Sequence, residues 1–183
     1  METIKLIQNN KIVKNAIIVF FGTVLLTISA KVKIPFYPVP MTMQTFVVIF
    51  LGMCFGYKLG LATVVLYLFE GILGIPVFSN SPEKGVGMIY FTGPTMGYLL
   101  GFIIAVYAAG KFNFNKNYLL NFIKIVFSVL PIYILGLIWL GVLIGWDKPI
   151  FELGAKPFLL AELFKILILV IISAKIDFFK KFI

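Results

Sequence analysis

The fold of this chain is decided by a long apolar stretch at residues 119–145, which reads LLNFIKIVFSVLPIYILGLIWLGVLIG. Its one charged residue is Lys124. A helix needs about 20 apolar residues to cross roughly 30 Å of hydrocarbon, so this stretch is long enough for one membrane crossing. Pro131 in its middle removes one helical hydrogen bond and predicts a kink there.

The rest of the chain has the same character. Of its 183 residues, 61% are hydrophobic and 13% are charged, whereas about 25% of the residues of a soluble globular domain are charged. One domain of this size cannot hide so much apolar surface from water, so its solvent must be lipid. We predict an all-α integral protein of the cytoplasmic membrane, a single domain over residues 1–183, with multi-pass spans at about 12–30, 41–56, 58–73, 93–110, 119–145 and 157–176.

The residue types that the sequence lacks exclude several classes of protein. It has no His, which removes His metal ligands and His acid–base relays. A single cysteine, Cys54, excludes an intrachain disulfide and a cysteine metal cluster. Neither a phosphate-binding loop nor a complete dinucleotide fingerprint is present. We therefore expect no metal, no cofactor and no enzymatic activity, and any energy from ATP has to come from a partner.

All 16 basic residues are Lys, and the net charge is +9. That charge would suit a nucleic-acid partner, but the lysines are scattered between apolar runs, so we expect no nucleic acid and interpret them as a topology signal. Ten lie on the side of the membrane that holds the termini (Lys5, Lys11, Lys14, Lys58, Lys111, Lys116, Lys124, Lys175, Lys180, Lys181) and five on the other (Lys31, Lys33, Lys84, Lys148, Lys156). Because cytoplasmic loops are enriched in Lys, both termini are predicted to be cytoplasmic.

Two long connections, at about 31–40 and 74–92, then lie on the outer side. Both are too apolar for solvated loops. Irregular backbone at membrane depth is tolerated only against protein or a cavity. We expect these connections, the first and the third, to cover an outward-facing pocket.

Small residues recur every four positions in the fourth predicted span, at Gly93, Gly97, Gly101, Ala105 and Ala109. This spacing places them on one helix face, where another backbone can approach closely. Such a ridge serves either ordinary packing within the chain or the docking of a second membrane subunit, and the sequence does not separate the two.

The last span contains two charges, Glu162 and Lys165, three residues apart and hence on one helix face. Charge within a membrane is expensive unless it is paired or lies in a wet cavity. One interpretation is an internal ion pair that holds the helices together. The other, which we favour, is a ligand pocket in which Lys165 holds an anionic group and Glu162 accepts hydrogen bonds.

Three neutral side chains could contribute to the same pocket. Thr42 and Gln44 lie at the head of the second span, and Asn80 lies in the third connection. Thr42 and Asn80 also have a local interpretation, because Thr favours helix caps and Asn favours turns.

Three motifs give the chain a family resemblance: PVPMTMQTF at residues 38–46, YLFEGILGIPVF at 67–78 and GPTMGYLLGF at 93–102. In this order they resemble the BioY family, the biotin-binding membrane subunits of energy-coupling-factor (ECF) transporters. The resemblance implies six helices, both termini inside, and a biotin pocket near the outer face. It places Lys165, Glu162 and Asn80 at that pocket, with Glu162 where the family usually has Asp. The implied partners are membrane lipid, a transmembrane coupling subunit and a pair of ATPases.

The sequence therefore predicts biotin uptake by a substrate-binding subunit, with Lys165, Glu162, Asn80, Gln44 and Thr42 as substrate-binding residues. Two alternatives remain open: a subunit for another vitamin, and a ligand-free structural subunit of a membrane complex. The structural subunit predicts that Glu162 and Lys165 pair only with each other. A membrane-embedded enzyme would need a catalytic cluster that the sequence does not offer.

Overall fold

The structure, a computed structural model, describes residues 11–180, and helices dominate it. Lys5 and Lys181, which entered the charge count above, lie outside the described residues. The elements are α1 (Lys11–Lys31), β1 (Lys33–Ile34), β2 (Met41–Thr42), α2 (Gln44–Ile72), a 3-10 turn (Gly87–Thr92), α3 (Met96–Lys111), α4 (Tyr118–Ile144), α5 (Ile150–Gly154), a second 3-10 turn (Lys156–Phe158), α6 (Leu159–Ser173) and α7 (Ile176–Lys180).

Among the described helices, α1, α2 and α4 are long and apolar enough to cross a membrane, and α3 is a shorter apolar helix. The long apolar stretch at 119–145 forms α4 almost from end to end, and the helix continues through Pro131. The chain is thus a mostly helical protein with apolar helices, as predicted.

The helix α2 is a hairpin of two antiparallel arms rather than one straight rod. At Gly56 the backbone has φ +71° and ψ 175°, a conformation that essentially only glycine adopts. Gln44 at the start of the first arm donates its Nε2 to the hydroxyl of Tyr67 in the second arm over 2.8 Å. In a straight helix these residues would be about 35 Å apart. The turn that separates the predicted spans 41–56 and 58–73 therefore lies at Gly56.

The ridge of small residues packs against the chain's own helices. A Cβ on Gly101 of α3 would lie 2.5 Å from the Cα of Ile132 on α4, and one on Gly97 would collide with the carbonyl of Leu135. These two helices therefore touch backbone to backbone. Internal packing explains the ridge from Gly97 onward, since its members are buried within the chain: Gly97, Gly101, Ala105 and Ala109.

The helix α4 turns an apolar face outward and keeps polar groups inside. Its exposed side chains recur every three or four residues: Leu119, Ile123, Phe127, Leu130, Ile134, Ile138 and Val142. In contrast, Asn121 is completely buried and donates its Nδ2 to the hydroxyl of Ser173 on α6 over 2.7 Å. A helix of a soluble protein has the reverse arrangement, so this outer surface is adapted to lipid.

The first and third connections pack on the helices and on each other. Val39 in the first and Phe78 in the third are buried. The Nζ of Lys31 donates to the carbonyls of Phe78 and Ser81 over 2.8 and 2.7 Å. Within the first connection, β1 pairs with β2 in an antiparallel hairpin. Lys33 belongs to β1, and its Nζ donates to the carbonyl of Ser79 over 2.6 Å. Two ammonium groups thus bind the third connection to the first.

Proline shifts two helix starts from their predicted positions. Helix α3 begins at Met96 rather than 93, because Pro94 disfavours a helical conformation in the preceding Gly93, which is extended at φ −83° and ψ 173°. Helix α6 begins at Leu159, after a 3-10 turn that contains Pro157. The short helix α5 is not among the predicted elements.

Candidate functional site

A pocket lies between the α2 hairpin, α3, α4, α6 and the two connections. It encloses about 560 Å³ of space free of atoms, part of it open to solvent. Aromatic side chains form much of its wall: Phe78, Tyr90, Tyr98, Phe102, Tyr133 and Phe158. Thr42, Gln44, Glu162 and Lys165 also line it, so the fold brings together four of the five predicted site residues.

The charged pair of α6 forms one polar part of this pocket. Glu162 and Lys165 are 5% and 6% exposed, and the Nζ of Lys165 lies 3.2 Å from Oε2 of Glu162. Their spacing of three residues places them on one face of α6, as the sequence predicts. Buried charges of this kind require both a partner and further hydrogen bonds.

Those further hydrogen bonds come from residues that the sequence analysis does not single out. Oε2 of Glu162 accepts from the hydroxyl of Thr45 over 2.9 Å and from the hydroxyl of Tyr133 over 3.1 Å. Together with Lys165, three donors converge on one carboxylate oxygen. Within residues 11–180, no group donates to the other oxygen, Oε1.

Lys165 is fully engaged in this structure. Besides Glu162, its Nζ donates to the carbonyl of Thr42 over 2.7 Å and to the hydroxyl of Thr45 over 3.0 Å. An ammonium group has three donor hydrogens, so all three have acceptors. An anionic ligand could bind Lys165 directly only by displacing one of them. The ligand-free alternative predicts that Glu162 and Lys165 pair only with each other. In the structure both also bond to other residues, for example to Thr45.

Thr42 and Gln44 lie where β2 leads into α2. The hydroxyl of Thr42 accepts from the backbone N–H of Gln44 and donates to its Oε1, both over 3.3 Å. Thr42 therefore makes a local contact at the start of α2, whose N-cap residue is Met43, and it also lines the pocket. The Nε2 of Gln44 is held by Tyr67.

Asn80 is the predicted site residue that the fold keeps apart from the other four. It lines a smaller hollow of about 220 Å³ together with Lys84, Tyr90, Gly93, Pro94 and Thr95. Tyr90 and Thr95 line both the hollow and the main pocket, so the two spaces adjoin. Oδ1 of Asn80 accepts from Lys33 over 3.3 Å.

The sequence contains a feature that could have identified Tyr133 as a site residue. Tyr133 is a hydroxyl-bearing residue in the middle of an apolar span, and polar groups at membrane depth usually face the interior of the bundle. Thr45 has no comparable signal, because Thr near a helix start is common.

Comparison with known proteins shows the family to which this chain is similar. The model of the BioY family matches residues 2–181. A protein of Pyrococcus horikoshii named "Probable biotin transporter BioY" is 34% identical over 90% of this chain and 96% of its own length. The "Biotin transporter BioY" of Thermotoga maritima is 32% identical over 84% of this chain and 90% of its own length.

A solved structure shows the same fold. The crystal structure of the S-component for biotin from an ECF-type ABC transporter matches with a TM-score of 0.76 at 24% identity, covering 92% of this chain and 93% of that chain. The family match extends over nearly the whole sequence, and the three motifs, the apolar helices and the fold agree with it. The chain belongs to the BioY family.

Proposed function

We propose that this chain binds biotin in the pocket described above and carries it into the cell as the substrate-binding subunit of an ECF-type transporter. It is a binding and transport subunit rather than an enzyme. The observation that carries the proposal is a pocket with aromatic walls that contains a buried carboxylate, in a chain of the BioY family. Relatives at 34% and 32% identity are named as biotin transporters.

The chemistry of biotin suits the pocket. Its thiophane ring is apolar and fits between aromatic side chains such as Phe78 and Phe158. Its ureido ring carries two N–H donors, and Oε1 of Glu162 lacks a donor among the described residues. We place the ureido ring beside Glu162, with Thr42 and Gln44 in the surrounding wall.

The carboxylate of biotin needs cations or hydrogen-bond donors. The three donors of Lys165 already have acceptors, whereas the adjoining hollow is lined by Lys84 and Asn80. Within residues 11–180, Lys84 has no carboxylate within ion-pair distance and the Nδ2 of Asn80 has no acceptor. We therefore propose that the carboxylate lies in this hollow, with Asn80 and Lys84 donating to it, while Lys165 contributes by balancing the charge of Glu162.

The wider arrangement follows the sequence. We propose a single domain over residues 1–183, with six spans, both termini in the cytoplasm and a pocket that opens outward beneath the first and third connections. The lysine distribution supports this orientation. The proposed partners are a transmembrane coupling subunit and an ATPase pair.

Equilibrium binding tests the proposal. Biotin titrated into detergent-purified protein in a calorimeter should give saturable binding at one site, whereas riboflavin and thiamin should give none. Binding of another vitamin but not biotin would favour the alternative substrate class. No binding of any of the three would favour a structural subunit.

A further inference from the structure

The carboxylate of Glu162 is used asymmetrically in this structure. Oε2 accepts from three donors, Thr45, Tyr133 and Lys165, at 2.9, 3.1 and 3.2 Å. Oε1 accepts from none of the described residues. The side chain is 5% exposed and lines the main pocket. One oxygen is therefore held by the protein, and the other remains free for a ligand.

We infer that Thr45 and Tyr133 are positioning residues that fix the orientation of Glu162, so that Oε1 accepts an N–H hydrogen bond from the ligand. This inference rests on the proposed function, because the N–H donors are those of the ureido ring. It adds two residues to the site and assigns separate roles to the two oxygens of one carboxylate.

The geometry explains why two hydroxyl groups are needed. A Glu side chain rotates about three bonds, and one ion pair to Lys165 on the same helix does not restrict all of them. Thr45 approaches from the start of α2 and Tyr133 from the middle of α4. Donors from two other helices fix the carboxylate from different directions. The hydroxyl of Thr45 also accepts from Lys165, so it links the cation to the anion.

A fixed acceptor of this kind should make the site discriminate between ligands that have an N–H donor and ligands that lack one, in addition to raising the affinity. A site that is built to accept an N–H hydrogen bond rejects a ligand that lacks the donor, because its buried acceptor is then left without a partner. The suitable probe is the cyclic carbonate analogue of biotin, in which two ring oxygens replace the two N–H groups while the carboxylate and the sulfur ring remain.

The first measurement uses the unaltered chain. Calorimetric titration should show biotin binding at least about 100-fold more tightly than the carbonate analogue. If biotin does not bind at all, the proposed function fails and this inference fails with it. If biotin binds and the two affinities are equal, the inference alone is overturned.

The second measurement uses Tyr133→Phe and Thr45→Val, which remove one hydroxyl each with little change of shape. We expect the ratio of the two affinities to fall by about 10-fold in either variant, since each loses a hydrogen bond to a charged group. Thr45→Ser keeps the hydroxyl and should keep the ratio. A purely structural role would weaken the binding of both ligands equally and leave the ratio unchanged, and that result would overturn the inference.

Tyr98→Phe is the matched control. Tyr98 lines the same pocket, and its ring packs on that of Tyr133 with centroids 6.3 Å apart. Its hydroxyl, however, donates to the carbonyl of Gly154 over 2.8 Å and not to Glu162. The ratio should therefore stay at the value of the unaltered chain. An equal fall in Tyr98→Phe and Tyr133→Phe would contradict the positioning role.

Discussion

The Nζ of Lys165 lies 3.2 Å from Oε2 of Glu162, and both charged groups are buried in the wall of the pocket. Burying two charges has a large desolvation cost, which close pairing and additional hydrogen bonds offset. Removing one partner leaves the other charge buried and uncompensated. The stability of the protein and its binding of ligand are therefore coupled at this pair.

Replacing Lys165 with Met should lower both stability and affinity. The variant leaves the carboxylate of Glu162 without its cation, which we expect to lower the free energy of unfolding by about 3–5 kcal/mol. Biotin affinity should fall at least about 100-fold, because the carboxylate that accepts from the ureido ring is then left without the charge that balances it. Thermal unfolding in detergent and calorimetric titration measure the two effects.

Lys156→Met is the control for this substitution. Lys156 pairs with Glu152 over 2.8 Å, but both side chains are about 60% exposed, and exposed pairs contribute at most about 1 kcal/mol. Its unfolding temperature should stay close to that of the unaltered chain. A Lys165→Met protein with unchanged stability and unchanged biotin affinity would show that the buried pair has neither role.

Replacing Lys84 with Met tests where the carboxylate binds. We expect biotin affinity to fall by about 10-fold, since one charge-assisted contact is lost. The affinity for biotin methyl ester, which is neutral, should be the same in the variant and the unaltered chain. Titrations at two salt concentrations should show a weaker salt dependence in the variant, because Lys84 is exposed and screened by ions. Equal losses for biotin and its ester would place the carboxylate elsewhere.

The ammonium groups of Lys31 and Lys33 should keep the third connection bound to the first, over the pocket. Their carbonyl acceptors are Phe78, Ser81 and Ser79, at 2.6–2.8 Å. In a Lys31→Met and Lys33→Met double variant, we expect biotin to dissociate about 10-fold faster and trypsin to cleave after Lys84 more readily. Stopped-flow displacement and limited proteolysis measure these rates.

Lys148→Met serves as the control for the double variant. Lys148 is an exposed lysine that pairs with its neighbour Asp147 and has no contact with the third connection among its described hydrogen bonds. It should leave both rates unchanged. Dissociation as slow in the double variant as in the unaltered chain would show that the two lysines do not control the connection.

Adding one methyl group at Gly101 should destabilise the protein. Alanine is the better helix former by about 1 kcal/mol, but its Cβ would lie 2.5 Å from the Cα of Ile132. Overpacking of this kind costs about 1–3 kcal/mol and separates α3 from α4. The unfolding temperature of Gly101→Ala should therefore fall, whereas Ile104→Ala on the exposed face of α3 should change it little. A rise in Gly101→Ala would mean that helix propensity outweighs packing here.

The sequence predicted the parts of this protein that depend on local pattern. Apolar runs long enough to cross a bilayer gave the helices, because the hydrophobic effect and backbone hydrogen bonding act along each segment. The short gap between the predicted spans 41–56 and 58–73 also indicated a turn, which the structure has at Gly56. The shared face of Glu162 and Lys165 follows from helix geometry alone, and the three motifs indicated the family.

Long-range contacts were decided by the tertiary structure. Thr45 and Glu162 are 117 residues apart, and Tyr133 and Glu162 are 29 apart. No sequence period brings such residues together, because their distance depends on how the α2 hairpin, α4 and α6 pack. The same packing separated Asn80 from the main pocket and brought Gly97 and Gly101 of α3 against α4.

The residues alone thus indicate that lipid is the solvent of this chain, that it resembles the BioY family and that its last span contains two charges that need partners. The partners of that pair follow from the packing of the helices: Lys165 has acceptors for all its donors, and Oε1 of Glu162 accepts from none of the described residues. The physical reason is that charge and hydropathy are properties of single residues, whereas hydrogen-bond saturation is a property of their positions in space.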